Sequence, residues 1–233
     1  TKNISFLQLE PLSLNCHLNK ITSFFDKHSY LKQYPIYDYS KSNIRLLNKN
    51  GFTNCIHLPY KCSRDELDFL IKAKTNNKIY DFGFIYDWKL LNHGSKTLPV
   101  KPPRRNKIME FLIKNGFTVN LIAGYGEDRD SELGKCKIIL NPHGQINENP
   151  NPSPDECSNI FEHIRCDRLL KAGYTILSET SYDLDTEFII QYPNLKIINY
   201  EDFFNLDVIK NIIYELNIKN IYDTLCLNQN PFN

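Results

Sequence analysis

Two adjacent arginines, Arg104 and Arg105, open a helical pattern that follows the predicted strand 81–86. Guanidinium groups and the amides of a helix N-terminus both favour phosphate oxygens. In open α/β sheets, ligands bind beyond the carboxyl ends of the strands, which is where this pair stands. The alternative is a solvated first turn, although cations at a helix N-terminus oppose the helix dipole. The pair is therefore a candidate phosphate site, and both interpretations stay open.

Polar residues also follow two later strands. Asn141 and His143 close the predicted strand 137–143 and would project at the top of the sheet. Ser178 and Glu179 end the predicted strand 174–179. The alternative is local, because Asn-Pro and His-Gly pairs can form a turn and Ser-Glu can begin a loop. A ligand role for these side chains is a hypothesis.

A third group lies in FEHIRCDR, residues 161–168. Glu162, Arg165 and Arg168 follow one another at intervals of three, so they fall roughly along one face of a helix. They could bind an anion, or they could form an exposed ladder of ion pairs, which is the commoner outcome for such spacing. We expect the helix to run from about 158 to 172 and to end at Gly173.

Several well-known motifs are missing from the sequence. GYGEDRD, residues 124–130, follows a strand, but its glycines do not form GxGxxG, and we expect no clear helix after them. There is no GxxxxGK[ST], no GxSxG and no HExxH, and DRD at 128–130 is only superficially a DxD metal motif. The sequence therefore gives no support to a dinucleotide fingerprint, a P-loop, a hydrolase elbow or a zincin site.

The composition narrows the class of protein. With 28 Lys+Arg against 27 Asp+Glu in 233 residues, a general electrostatic attraction to nucleic acid or anionic lipid is disfavoured. No apolar run approaches the ~18 residues of a membrane helix. Seven cysteines, an odd number without a CxxC pair, indicate reduced thiols in a cytosolic setting. The first residue is not Met and no signal-peptide layout follows, so we expect that residue 1 is not the natural start.

The elements that must position these residues alternate between strands and helices, which is typical of βα units with a parallel sheet. A polar stretch near 75–79 predicts a boundary between a partial α/β domain, 1–76, and a complete doubly wound domain, 77–233. Strands are predicted at 4–10, around 36, and at 55–60, 81–86, 117–124, 137–143, 174–179 and 195–200. Helices are predicted at 12–25, 41–50, 63–74, 104–115, 158–172, 186–191 and 202–216.

Taken in order, DFGFIY, PPRRNKIMEFLIKNGF, the GYGEDRD loop, KCKIILNPHG and FEHIRCDRLLKAGYTILSE resemble the donor-binding, C-terminal half of glycosyltransferases with the GT-B fold. LEPLS, YDYSKSN and CIHLPY resemble the later part of the N-terminal domain of the same group. Arg165, eight residues before Gly173, matches the R-x-F-E-x-x-x-x-G helix of one such group. The resemblance extends to proteins of large DNA viruses and implies two Rossmann-like parallel-sheet units, the N-terminal one shortened.

The resemblance implies a nucleotide-diphospho-sugar donor on the C-terminal domain, with its diphosphate facing a helix N-terminus and basic side chains. Neither a metal nor a further cofactor is implied. Arg104 and Arg105 would then contact phosphate, Arg165 would neutralise the departing diphosphate, and Glu162 would accept sugar or ribose hydroxyls. The full set of residues implied for the donor is Arg104, Arg105, Tyr125 in the base pocket, Asn141, His143, Glu162, Arg165 and Glu179.

The sequence departs from this pattern in two places. Arg168 stands where the group usually has Glu, so Glu162 or Glu179 must supply the carboxylate that binds the ribose. The N-terminal part is too short for a full acceptor domain, so either the chain is part of a longer protein or acceptor binding is reduced. Glu10 and Asp38, each at the end of a probable strand, are the candidate catalytic residues.

Three functions are therefore considered. The resemblance implies a glycosyltransferase that acts on a glycan or other acceptor, in the cytoplasm of a host cell if the protein is viral. The alternative is a non-catalytic nucleotide- or sugar-binding module that keeps the same fold. A flavodoxin-like regulatory domain ranks last, because it needs an acidic cluster after its first strand and Asp81 and Asp87 do not form one convincingly.

Overall fold

A computed structural model describes residues 5–8, 26–75, 77–85, 104–143, 160–181, 184 and 186–216. Within these ranges the chain forms two parallel sheets flanked by helices, which confirms the predicted α/β class with two Rossmann-like units. Glu10, Asp87 and the helix predicted at 12–25 lie outside the described residues.

In the described part of the chain, the smaller unit contains three parallel strands in the order β1-β2-β3. Helix α1 begins after Ser40, whose hydroxyl accepts a hydrogen bond from the amide of Asn43 at 3.3 Å. It ends before Gly51, whose φ of 82° suits a residue without Cβ. The elements are β1 (Phe6–Gln8), β2 (Ile36–Asp38), α1 (Lys41–Lys49) and β3 (Cys55–His57).

The larger unit has the strand order β5-β4-β6-β7-β8 among the described residues, all parallel. Its strands are β4 (Tyr80–Ile85), β5 (Val119–Ile122), β6 (Cys136–Asn141), β7 (Thr175–Glu179) and β8 (Leu195–Ile198). Its helices are α2 (Arg64–Ala73), α3 (Arg104–Lys114), α4 (Gly126–Gly134), α5 (His163–Lys171), α6 (Thr186–Gln191) and α7 (206–216).

This strand order is 2-1-3-4-5 within the unit, the second common doubly wound order, which flavodoxin shares. The order reverses between β4 and β6, and ligands bind at such a reversal, beyond the carboxyl ends of the strands. The order alone does not favour the flavodoxin-like alternative, because Asp81 lies near the amino end of β4, where it bonds to Thr118 and Lys137.

Alternate residues of the central strands fill cores on the two faces of the larger sheet. Ile139 and Ile176 face one core, whereas Ile138 and Leu177 face the other. Leu70 of α2 is fully buried in the first core. Helix α2 therefore packs on the larger unit although it precedes the boundary predicted at residue 76, and that boundary stays a prediction.

Two expectations about helices are wrong. We expected no clear helix after GYGEDRD, but α4 begins at Gly126. Glu127 and Asp128 in its first turn suit the helix dipole, and Leu133 packs it on the core. Helix α5 begins at His163 rather than near 158, because the side chain of Phe161 is buried in the core and Glu162 is the N-cap.

Neither a membrane helix nor a disulfide is found in the described ranges. No helix there is long and apolar enough to cross a membrane. The cysteines described there are free thiols, namely Cys55, Cys62, Cys136 and Cys166.

The ends of α2 and α4 approach so closely that Gly134 cannot accept a side chain. A Cβ at this position would lie 1.9 Å from the carbonyl oxygen of Ala73, which is backbone and cannot rotate away. We predict that Gly134→Ala lowers the free energy of unfolding by about 1–3 kcal/mol, because the two helices must separate. Urea unfolding of the purified variant measures this loss.

Ser131→Ala is the matched control, because Ser131 is exposed on the same helix. It should change the free energy of unfolding by less than about 0.5 kcal/mol. Equal stability of both variants would show that α2 and α4 do not meet at Gly134.

Candidate functional site

The parallel register of the larger sheet places several predicted site residues at one edge. Asn141 at the end of β6 pairs with Ser178 of β7, so the residues that follow these strands meet beyond the sheet. The amide side chain of Asn141 donates to the hydroxyl of Ser178 at 3.1 Å. Arg104 and Arg105 reach the same edge from the first turn of α3.

Arg104 and Glu179 form a bidentate ion pair. The Nη1 and Nη2 atoms of Arg104 donate to the two carboxylate oxygens of Glu179 at 2.9 and 2.8 Å. The same carboxylate accepts the backbone amide of His143 at 2.9 Å, and its side chain is only 6% exposed. The guanidinium carbon of Arg104 lies over the ring of Tyr200, 3.5 Å from the ring centroid. Both groups are therefore held within the fold, and this pair fixes the start of α3.

Arg105 and Arg165 share one carboxylate, that of Glu162. Arg165 approaches one oxygen of Glu162 at 2.8 Å, and Arg105 approaches the other at 3.4 Å. Burial, and then the positive charge of Arg165, lower the pKa of Arg105. Each arginine side chain is still 23% exposed. Two guanidinium groups against one carboxylate leave a surplus positive charge, which favours an anion from solvent.

His143 helps to hold this edge together. Its side chain is buried, and burial lowers its pKa, which keeps the imidazole neutral at physiological pH. Its Nε2 atom lies 3.0 Å from the carbonyl oxygen of Thr180, which can only accept, so Nε2 carries the proton. His143 therefore orients the loop after β7.

We call this group the arginine cluster. It unites all the residues that the sequence assigned to the donor except Tyr125. Tyr125 is the N-cap of α4 beyond the neighbouring strand β5, and it is 78% exposed. The residues of the arginine cluster are Arg104, Arg105, Asn141, His143, Glu162, Arg165 and Glu179.

Asp38 does not lie in the arginine cluster. It is fully buried at the end of β2, where its carboxylate accepts the backbone amide of Ser40 at 2.7 Å and the side chain of Asn43 at 3.0 Å. These bonds stabilise the turn into α1. A catalytic role for Asp38 thus gains no support from its surroundings, and that role stays a prediction, as does that of Glu10.

Arg168 does not extend the ladder of Glu162 and Arg165 as one sequence interpretation expected. It is 4% exposed and donates to both oxygens of Asp130 at 2.7 Å and to Glu66 at 3.0 Å. Glu66 also helps to cap the start of α2, where its backbone amide donates to the hydroxyl of Ser63 at 3.2 Å. Arg168 thereby links α5 to α4 and α2 and positions the N-terminus of α5.

A cavity of about 130 Å³ opens between the two units, beside α5. His163, the first residue of α5, has its Nδ1 atom 2.9 Å from the carboxylate of Asp167. Sequence reasoning missed this pair, although the spacing of four residues on one helix could have indicated it. We call the cavity the interunit cleft; it is lined by Tyr39, Lys41, His57, Pro59, Tyr60, His163, Asp167 and Phe188.

The chemistry of the described site is that of an anion site beside a polar cleft. Among the described residues, no group of three or more His, Cys, Asp and Glu side chains is arranged to hold a metal ion. Positive charge in the arginine cluster comes instead from guanidinium groups, which match the geometry of phosphate oxygens.

The chain is similar to uncharacterized proteins of Acanthamoeba polyphaga mimivirus. One is 29% identical over 220 residues, which cover 92% of this chain and 64% of that protein. Two others are 30% identical over 178 residues and 27% identical over 223 residues, covering 75% and 93% of this chain. The alignments span only 17% and 27% of those two proteins. The chain thus covers less than two thirds of each relative. No family model and no solved structure matches it.

The pair of Arg168 and Asp130 predicts an acid-sensitive contribution to stability. Burial raises the pKa of Asp130, but the hydrogen bonds and charge of Arg168 outweigh it, so the pKa lies below its ordinary value of 3.8. A lowered pKa stabilises the fold above the unfolded value, and this stabilisation is lost as pH falls through the folded value. We predict that Asp130→Asn costs about 3 kcal/mol at pH 7, because it breaks a buried pair.

The difference between the wild type and Asp130→Asn should shrink as pH falls below about 4, because the unfolded chain binds a proton first and the folded carboxyl binds one only at lower pH. Urea unfolding at several pH values measures this difference. Asp128→Asn, on the exposed side of α4, is the control and should cost less than about 1 kcal/mol. A pH-independent difference would contradict the ionised pair.

Proposed function

We propose that this protein is a glycosyltransferase that transfers a sugar from a nucleotide-diphospho-sugar donor to a glycan or other acceptor, with no required metal. The observation that carries the proposal is the convergence of Arg105 and Arg165 on the single carboxylate of Glu162. This surplus of positive charge lies at the carboxyl edge of a parallel sheet, where such folds bind their ligands.

In this mechanism the diphosphate of the donor lies against Arg105 and Arg165. The leaving nucleoside diphosphate gains negative charge as the glycosidic bond breaks, and preorganised guanidinium groups stabilise that charge most in the transition state. The N-terminus of α5 adds the positive end of its helix dipole. Arg104 does not contact the donor in this mechanism. It acts indirectly, because its ion pair with Glu179 holds the helical turn that carries Arg105.

Glu162 is the carboxylate best placed to accept hydroxyls of the ribose or the sugar. The position that usually carries this carboxylate holds Arg168, which is committed to Asp130 and Glu66. Glu179 already accepts three hydrogen bonds from Arg104 and His143. Glu162 is 29% exposed and can turn toward a ligand when the diphosphate takes its place between the arginines.

The setting of this activity is also part of the proposal. The mimivirus relatives are longer than this chain, and we propose that further domains of a longer protein add acceptor contacts to those of the small N-terminal unit. If the protein is viral, we propose that it acts in the cytoplasm of the host cell, in glycan biosynthesis.

A second candidate is a non-catalytic module that binds a nucleotide or a sugar. The observation that favours it is the buried pair of Arg168 and Asp130, which occupies the place of the customary ribose carboxylate. Such a module would bind nucleoside diphosphates tightly without hydrolysing or transferring the donor. Transfer to any glycan acceptor would exclude it.

The proposal predicts that Arg165→Ala and Arg105→Ala each weaken binding of a nucleoside diphosphate. A hydrogen bond to a charged group contributes about 1.5–3 kcal/mol, so the dissociation constant should rise about 10- to 150-fold. Arg165→Lys should restore only part of the affinity, because an ammonium cannot present a bidentate fork. Calorimetry with UDP, GDP, ADP and CDP measures these constants.

Arg64→Ala is the control, because Arg64 is exposed at the start of α2 and lies outside the arginine cluster. It removes the same charge and should leave the affinity unchanged. If Arg165 only stabilises α5 through Glu162, its loss should cost less than about 1 kcal/mol of stability without changing nucleotide affinity. If wild-type protein binds none of the four nucleotides at millimolar concentration, the transferase proposal is wrong.

A further inference from the structure

The interunit cleft and the arginine cluster adjoin each other at the N-terminus of α5. Glu162, which holds Arg105 and Arg165, is the N-cap of α5, and His163 is the next residue. His163 lines the cleft together with Asp167, one turn further along the same helix. A ligand held in the arginine cluster and a ligand held in the cleft would therefore lie side by side at the start of α5.

The geometry of His163 is that of an oriented imidazole. Its Nδ1 atom lies 2.9 Å from a carboxylate oxygen of Asp167, which can only accept, so Nδ1 carries the proton. When the ring carries only this proton, its lone pair is on Nε2. The ring centroids of Phe161 and Phe188 each lie 5.0 Å from the centroid of the imidazole, and the ring planes are inclined to it by 74° and 86°. The ring cannot turn freely, which is the arrangement of a base and its orienting group.

The remaining lining of the interunit cleft suits an acceptor that carries hydroxyl groups on a ring. Lys41, His57 and Tyr60 line the cleft from the smaller unit. Nε2 of His57 lies 3.1 Å from the carbonyl oxygen of Tyr39, and the hydroxyl of Tyr60 donates to Glu66 at 3.1 Å, so a ligand would share these groups with their partners in the protein. Tyr39 and Phe188 add aromatic faces on which the apolar side of a sugar ring can pack. The cleft thus combines hydrogen-bonding groups with aromatic surface, whereas the arginine cluster offers charge.

We propose that the interunit cleft binds the acceptor and that His163 is the catalytic base, with Asp167 as its positioning residue. This inference rests on the proposed transferase function. The roles proposed for Arg105 and Arg165 are unchanged. Both still act on the leaving group.

The proposed step balances as a single displacement. Nε2 of His163 takes the proton of the acceptor hydroxyl, and the oxygen forms a bond to the anomeric carbon of the donor. The bond from that carbon to the diphosphate oxygen breaks, and its electron pair leaves with the nucleoside diphosphate at Arg105 and Arg165. One displacement from the opposite side inverts the anomeric centre. The imidazolium, stabilised by Asp167, then returns its proton to water.

The test uses donor hydrolysis, in which water replaces the unidentified acceptor. The probes are UDP-glucose, UDP-N-acetylglucosamine and GDP-mannose, and the readout is release of nucleoside diphosphate. We expect His163→Ala to lower the rate constant of hydrolysis by about 100- to 10,000-fold, while the dissociation constant for the nucleoside diphosphate stays unchanged. Added imidazole should restore part of the rate, a rescue that a merely structural histidine would not show.

Three further variants and one stereochemical measurement sharpen the test. His163→Gln keeps the size of the side chain if the alanine variant does not fold. Asp167→Asn should lower the rate constant with nucleotide affinity unchanged, because an amide can hold the wrong tautomer. His28→Gln is the matched control in the smaller unit, outside the cleft, and should leave both quantities unchanged. The anomer released first, followed by NMR, should be inverted relative to the donor.

The outcomes separate this inference from the proposed function. If the wild type binds nucleotides but hydrolyses none of the donors, the transferase proposal and this inference both fail. If the wild type hydrolyses a donor and the His163 variants are as fast, only the inference fails. Retention of the anomeric configuration would also overturn it, because a single displacement cannot retain.

Discussion

The parallel pairing of β6 with β7 is the constraint on which the site depends. It sets Asn141 against Ser178, so that the backbone of His143 reaches the carboxylate of Glu179 just beyond the sheet. Glu179 then holds Arg104, which fixes the turn that carries Arg105. A shift of one residue in the register would turn Glu179 to the other face and break this chain of contacts. The register of the sheet thus determines where the surplus positive charge of Arg105 and Arg165 lies.

A second constraint fixes α5, which carries both Glu162 and His163. Arg168 and Asp130 are each nearly buried, and removing two such charges from water is costly unless their geometry is close to ideal. The two bonds of 2.7 Å meet that condition, and Glu66 adds a third contact from α2. Together these contacts hold α5 against α4 and α2. The contacts that orient the helix also keep Arg168 from a ligand.

The sequence was a good guide where position along a strand decides the outcome. Residues at the ends of strands share one edge of a parallel sheet, and this rule was enough to find most of the arginine cluster. The partners of Arg168 could not be found in this way, because Asp130 and Glu66 are 38 and 102 residues away. Helix α4 was missed since one of its buried residues is the charged Asp130, which breaks the apolar pattern.

The interunit cleft bears on the choice between a transferase and a binding module. A module that holds a nucleotide needs only the surplus charge at Arg105 and Arg165. It has no use for a nearly buried carboxylate that orients a histidine in the neighbouring interunit cleft, and burying that carboxylate costs free energy. A transferase needs both features, because one site must stabilise the leaving group while the neighbouring site deprotonates the acceptor. Their adjacency at the N-terminus of α5 therefore favours transfer over binding alone.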